Sequence, residues 1–174
     1  NLIFSLKERN KYKIFEFNRS HNVDDIKKYI NDIDVVVHLA GENRPKDPKM
    51  FKKTNIGLSK EICEIIQETN KSIPIIFSSS TQATEQNLYG SSKHEAEKIF
   101  RNFSVNYDTT VIAYRFCGIF GKWSKPNYNS VISTFCFNIA NDLPIKISDP
   151  DQSLKLSYID DVVETIIDKI DNIE

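Results

Sequence analysis

Tyr89 and Lys93 stand four residues apart, nine residues after the last serine of the run Ile75-Ile76-Phe77-Ser78-Ser79-Ser80. On a helix that spacing sets the phenol and the amine on one face, a turn apart. A free phenol, with a pKa of about 10, is a poor proton donor or acceptor near neutrality. A neighbouring cation favours the phenolate and lowers that value toward the working range of a general acid/base. A hydroxyl at Ser80 would bond the reacting oxygen and hold it. Alone, the pair also reads as a surface tyrosine beside a solvated lysine. Its place behind a serine-rich strand end weights the chemical reading.

Delivering such a site requires strands that end where the chemistry happens. Asp34 to Leu39 is a nearly continuous apolar run, as a strand buried on both faces requires, and Lys13 to Phe17, Ile73 to Phe77 and Val111 to Tyr114 read as further strands. Between them lie helical patterns over Val23 to Ile30, Phe51 to Gln67 and Tyr89 to Asn106, with Ala96, Ile99, Phe100 and Phe103 inward in the last. An opening helix carries Leu2, Ile3 and Leu6 on one face. Past Arg115 the pattern loosens into a loop, followed by a helix over about Ser130 to Asn141, short strands near Ile145 and Leu156, and a helix after Asp160. Strand and helix in alternation predict an α/β fold, a doubly wound parallel sheet with ligands at the carboxyl ends of its strands.

The totals agree with an ordinary globule. A chain of 174 residues, 40% hydrophobic and 27% charged with a net charge of -1, can bury one core and carries no basic run of the kind a general nucleic-acid binder needs. Three scattered cysteines, Cys63, Cys117 and Cys136, favour a reducing cytoplasm over a disulfide scaffold. No apolar stretch suggests a membrane partner, and no metal site is expected, since His21 and His94 lack a paired Cys or carboxylate at ligand spacing. His38 reads as a packing residue. Asp160 and Asp161 suit the start of a helix, where carboxylates cap free amides.

Several motifs together, His38-Leu39-Ala40-Gly41, Asn55-Ile56-Gly57, the serine strand, Tyr89-Gly90-Ser91-Ser92-Lys93, Arg115 to Gly121 and Tyr158 to Val162, resemble the extended short-chain dehydrogenase/reductases. The resemblance implies a Rossmann-type domain over residues 1–121 and a substrate-binding region over 122–174. It implies Tyr89 as acid/base, Lys93 as its tuner and ribose holder, and Ser80 as the group polarising the carbonyl. Leu39, Ala40, Gly41, Asn55, Ser78 and Arg115 would join Tyr89 and Lys93 around the cofactor.

A narrower similarity, through Asn43-Arg44-Pro45, Ser78 to Thr84 and the run Gly121 to Cys136, is to bacterial capsule and O-antigen reductases of the UDP-N-acetyl-L-fucosamine pathway. These reduce a UDP-linked 2-acetamido-2,6-dideoxy-4-keto hexose with NADPH and usually carry a cupin domain, which residues 1–174 do not contain. Arg44, Thr81, Asn127, Tyr128 and Asn129 are then the expected substrate contacts. Relatives also imply a homodimer or higher oligomer.

Arg19 follows the Lys13 to Phe17 run, where a guanidinium favours the phosphate of NADP and an acid would favour NAD, so NADP is expected ahead of NAD. The glycine-rich phosphate turn is missing and is expected immediately upstream of Asn1, together with the first, central strand. Gly118 replaces the Asn that relatives usually carry there. Thr81-Gln82 supplies no Asp-Glu pair, which places a dehydratase behind a reductase or an NAD-dependent epimerase. A non-catalytic cofactor sensor or scaffold is the alternative of another class.

Overall fold

The computed structural model describes residues 1–173; Glu174, the end of the region expected over 122–174, lies outside them. In chain order the helices and strands are α1 (Leu2–Glu8), α2 (Val23–Tyr29), β1 (Val36–His38), α3 (Leu58–Glu68), β2 (Ile75–Ser80), α4 (Leu88–Tyr107), β3 (Val111–Phe116), β4 (Gly118–Phe120), α5 (Val131–Ala140), β5 (Leu156–Tyr158) and α6 (Ile159–Asp171). They divide into two compact units, one spanning Lys13–Phe116 with the stretch from Ile170, the other Asn1–Tyr12 with Cys117–Lys169.

The first unit is built on a parallel sheet in the order β1-β2-β3, with Val36 opposite Ile75 and Ile75 opposite Val111. Parallel neighbours need a crossover, and both crossovers advance in one direction across the sheet, which sets α3 and α4 on one face, where they touch. This is the expected α/β, Rossmann-type arrangement. Ile75, Ile76 and Phe77 are all buried, which explains why β2 reads as an unbroken apolar run before its serines. Phe77 packs against Phe100 of α4 at 4.9 Å between ring centroids, in a cluster that includes Ile62, Ile66, Ile75, Ala96 and Phe103. Burying a side chain of this size contributes about 1.5–3 kcal/mol.

Three expectations in this unit change. Residues 13–17 belong to no strand: pairing defines a strand, and none of the described strands pairs with them. Stacking holds them instead, with Phe15 on Tyr29 at 4.6 Å and the Lys13 ammonium 4.7 Å from the Phe15 ring. The helix expected over Phe51 to Gln67 opens as a wider helical coil over Phe51–Gly57 and tightens only from Leu58. The apolar run at Asp34 to Leu39 pairs over Val36–His38 alone, and Leu39 emerges exposed.

In the second unit β4 and β5 form a parallel pair, with Gly118 opposite Leu156 and Phe120 opposite Tyr158. The loop expected after Arg115 therefore contains a strand, hidden in sequence because its partner lies far along the chain. The strand expected near Ile145 is absent among the described residues, since Ile145 and Ile147 are exposed and find no ladder partner. Leu2 and Leu6 of α1 are buried, but Ile3 is exposed, so the opening helix buries a narrower stripe than its sequence suggests. Arg9 bonds Glu164 of α6, and Lys122 lies 3.4 Å from Asp160.

Candidate active site

The serine end of β2 and the first two turns of α4 bring the candidate chemistry together. Asn87 caps α4, its side-chain oxygen accepting the Gly90 N–H at 2.7 Å, so the helix begins just before Tyr89. Gly90 permits this start: a Cβ there would fall 2.1 Å from the carbonyl oxygen of Gln82, in the turn that follows Ser80. No larger residue could bring the helix so near the strand end. The Tyr89 phenol is close enough to Ser80 for that side chain to favour its ionised form, and its ring lies 6.2 Å from that of Phe51. One turn on, the Lys93 amine donates to the Ser78 carbonyl at 2.7 Å and sits 4.8 Å from the centre of the Phe77 ring.

Burial dominates the electrostatics. Lys93 is buried, and loss of water pushes its amine down to about 8, against the negative charge of Glu97, which raises it. Burial also raises the Tyr89 phenol above its ordinary value, with Ser80 pulling the other way. The sequence expectation that Lys93 lowers the phenol is therefore corrected for this state: the amine is engaged by the Ser78 carbonyl, and desolvation outweighs the remaining influences. His38 is buried behind the pair, stacked on Phe77 at 5.4 Å, and burial, then the charge of Lys93, pushes it down to about 3. It packs as a neutral ring, 3.4 Å from the Ser59 hydroxyl.

The residues expected around the cofactor lie in the same unit. Leu39, Ala40 and Gly41 leave β1 as an exposed stretch. Asn55 is buried, and its amide clasps the next residue: its oxygen accepts the Glu42 N–H at 2.7 Å, and its nitrogen donates to the Glu42 carbonyl at 2.9 Å and to Ser92 at 2.8 Å. Asn55 thus ties the loop after β1 to α4. Arg19 is exposed and pairs with Glu42 at 2.7 Å. Arg115 makes a two-pronged contact with Glu97, Nε to Oε1 at 2.9 Å and Nη2 to Oε2 at 2.6 Å, and the Ser79 hydroxyl donates to the same carboxylate. Sequence reasoning did not single out Glu97 or Glu42; Glu97 had a signal, since it continues the Tyr89, Lys93 spacing by another four residues.

Arg44, in a loop, and Thr81, the first residue of the short 3-10 turn after β2, are exposed residues of this unit. Asn127, Tyr128 and Asn129 belong to the other unit and are exposed there. Asn127 has a left-handed backbone, φ 55, and its N–H donates to Thr134 of α5 at 2.9 Å. A surface cleft bordered by Thr84, Glu85, Ser91, His94, Lys98 and Arg115 contains none of Ser80, Tyr89 and Lys93. Among the described residues no group of three or more His, Cys, Asp or Glu could hold a metal, and no helix is long and apolar enough to cross a membrane.

Comparison with known proteins extends this geometry. The chain is 39% identical over 171 residues to UDP-2-acetamido-2,6-beta-L-arabino-hexul-4-ose reductase of Pseudomonas aeruginosa, a match covering 98% of this chain and 46% of that protein. It superposes on the capsular polysaccharide assembling protein CapF from Staphylococcus aureus with a TM-score of 0.86 at 39% identity, over 98% of this chain and 46% of that one. UDP-glucuronic acid 4-epimerase from Bacillus cereus shares the fold, with a TM-score of 0.80 at 20% identity over 97% of this chain and 58% of that one. The chain thus spans about half the length of its relatives. A profile of the NAD dependent epimerase/dehydratase family matches residues 5–173, and the chain belongs to that family.

Proposed function

We propose that the complete gene product reduces the 4-keto group of a UDP-linked 2-acetamido-2,6-dideoxy hexose with NADPH, in the cytoplasm, supplying a precursor of a surface polysaccharide. The observation that carries this reading is the meeting of Tyr89, Lys93 and Ser80 at the carboxyl end of β2. The substrate class is supported by the 39% identity to a protein named for reduction of such a sugar.

The residues present fit a nicotinamide nucleotide. Gly41 passes so near the amine that a Cβ there would lie 3.1 Å from Lys93 Nζ and 3.2 Å from Asn55 Oδ1, so a bare backbone borders the polar cluster at the strand ends. When bound, NADPH supplies the hydride that reduces the keto carbon. Tyr89 gives its proton to the keto oxygen, Ser80 donates a hydrogen bond to that oxygen, and the Lys93 ammonium stabilises the phenolate left behind and holds the nicotinamide ribose. The Ser78 carbonyl seats the amine. Leu39, Ala40 and Gly41 line the cofactor, and Asn55 fixes their loop. Arg115 acts at the cofactor side through β3. Arg19 leaves Glu42 to meet the ribose phosphate, which gives the preference for NADPH over NADH.

Residues 1–121 serve the cofactor, and 122–174 serve the sugar nucleotide, with Asn127, Tyr128 and Asn129 joined by Arg44 and Thr81 as contacts. The working form is a homodimer or higher oligomer. Replacing Tyr89 by Phe is expected to lower turnover roughly 10²–10⁴-fold and to leave NADPH binding intact; unchanged turnover refutes the reading. The family also includes epimerases by its name, and cofactor stoichiometry separates the two reactions. A reductase oxidises one NADPH per product, whereas an epimerase consumes none.

A further inference from the structure

Helix α4 meets the strand end through three rungs. Tyr89, Lys93 and Glu97 follow at four-residue spacing, and each engages one of three consecutive serines: the Ser80 hydroxyl, the Ser78 carbonyl and the Ser79 hydroxyl. The third rung continues into the next strand. Arg115, the register partner of Ser79 on β3, grips the Glu97 carboxylate with two hydrogen bonds. The carboxylate is buried, and a buried charge left without partners would be costly, so its three contacts are worth keeping.

We propose that Glu97 is a positioning residue for the catalytic pair: it locks the serine end of β2, the middle of α4 and β3 together, and it keeps the Lys93 amine seated on the Ser78 carbonyl and protonated. This rests on the reading of Tyr89 and Lys93 as catalytic. The charged or titratable groups that act on the amine or are acted on by it are Glu97 from its own helix and His38 from β1, which burial keeps neutral; Tyr89 stands one turn before it on the same helix. Arg115 stands behind Glu97, and His94 Nδ1 lies 4.0 Å from it. The Arg115 hydrogen bond, with that of Ser79, holds the Glu97 carboxyl below the usual carboxylate range despite its burial, so near neutrality it is an anion while the lysine is a cation. Its charge therefore opposes the desolvation of Lys93.

The test uses the complete gene product with Glu97→Gln, which keeps the shape and removes the charge. Without the anion, the Lys93 ammonium loses its proton at lower pH. The alkaline limb of kcat/KM is expected to move down, with kcat falling roughly 10-fold to 100-fold and KM for NADPH changing less. The Lys93 resonance, followed by NMR in lysine-labelled protein and assigned with Lys93→Met, should titrate at lower pH by the same amount. Ser79→Ala, which spares the charge, should lower kcat without moving the limb, and Arg115→Lys should retain more of the wild-type profile than Arg115→Gln. An unmoved Lys93 titration in folded Glu97→Gln overturns the proposal. If Glu97→Gln does not fold, wild-type kcat in both Ser79→Ala and Arg115→Gln overturns it. The NMR titration does not depend on the reaction, so retained turnover in Tyr89→Phe would refute the reductase reading alone.

Discussion

Adding one methyl group at Gly90 should cost far more activity than stability. A Cβ there would lie 2.1 Å from the Gln82 carbonyl oxygen and 2.9 Å from that of Glu85, both backbone atoms that cannot swing aside. Carbon and oxygen rest at about 3.3 Å, so the first turn of α4 and the turn after Ser80 must separate by about 1 Å. Two effects on stability oppose one another. Alanine gains about 1 kcal/mol over glycine inside a helix, while overpacking costs about 1–3 kcal/mol. The net loss is therefore small, about 0–2 kcal/mol, or a few degrees in melting temperature.

Activity has no such compensation. Tyr89 adjoins Gly90, and Ser80 adjoins the turn that carries Gln82, so the forced separation pulls apart the two side chains proposed to act on the keto oxygen. A misplacement of about 1 Å can cost about 10²-fold in turnover. Gly57→Ala is the control, because its Cβ would meet only the Lys52 carbonyl oxygen at an ordinary 3.7 Å. There the same chemical change should be neutral or stabilising by about 0.4–1 kcal/mol. Steady-state turnover, followed by absorbance of the reduced nicotinamide, is compared with thermal melting for both variants. If Gly90→Ala turns over within about twofold of wild type and melts with it, the close approach does not control the site and the reasoning fails.

Two further outcomes are expected. Phe100→Ala empties the centre of the cluster against Phe77 and should cost about 3–5 kcal/mol in denaturant unfolding; a loss below about 1 kcal/mol would contradict that placement. Lys93 has a folded pKa of about 8, below its unfolded value of about 10.4, so the unfolded chain holds more protons between these values and wild-type stability should rise with pH across that window. In Lys93→Met that rise should flatten, and parallel stability curves for the two proteins would refute it.

The sequence disclosed what depends on neighbours along the chain. The periodicity of α4 and the unbroken apolar run of β2 are local signals, and so was the four-residue spacing of Tyr89 and Lys93, which the fold brings against the serines as expected. Pairing is not local. Residues 13–17 have the composition of a strand but no described partner, while Gly118–Phe120 has an unpromising composition and gains its strand from Leu156–Tyr158. Partner choice was hidden in the same way at Arg115, whose two-pronged grip on Glu97 no spacing along the chain announces. The Arg19 pairing with Glu42 likewise depends on the loop that Asn55 clasps.

The sign of the tyrosine shift also could not come from spacing. Four residues on a helix say that phenol and amine are neighbours, but burial decides what each prefers. Here burial pushes both groups toward their neutral forms, the phenol up and the amine down to about 8. For the proposed reduction this is a workable arrangement, because the group assigned to deliver a proton is fully loaded before the reaction. What the site must then supply is stabilisation of the phenolate after the proton has gone. An ammonium has three donors, and the Ser78 carbonyl takes one of them, which leaves the charge within a helical turn of the phenol. That help exists only while the amine stays protonated. In the proposed arrangement the anion at Glu97 sustains the amine at Lys93 and through it bears on the acid strength of Tyr89, although Glu97 makes its hydrogen bonds to Ser79 and Arg115.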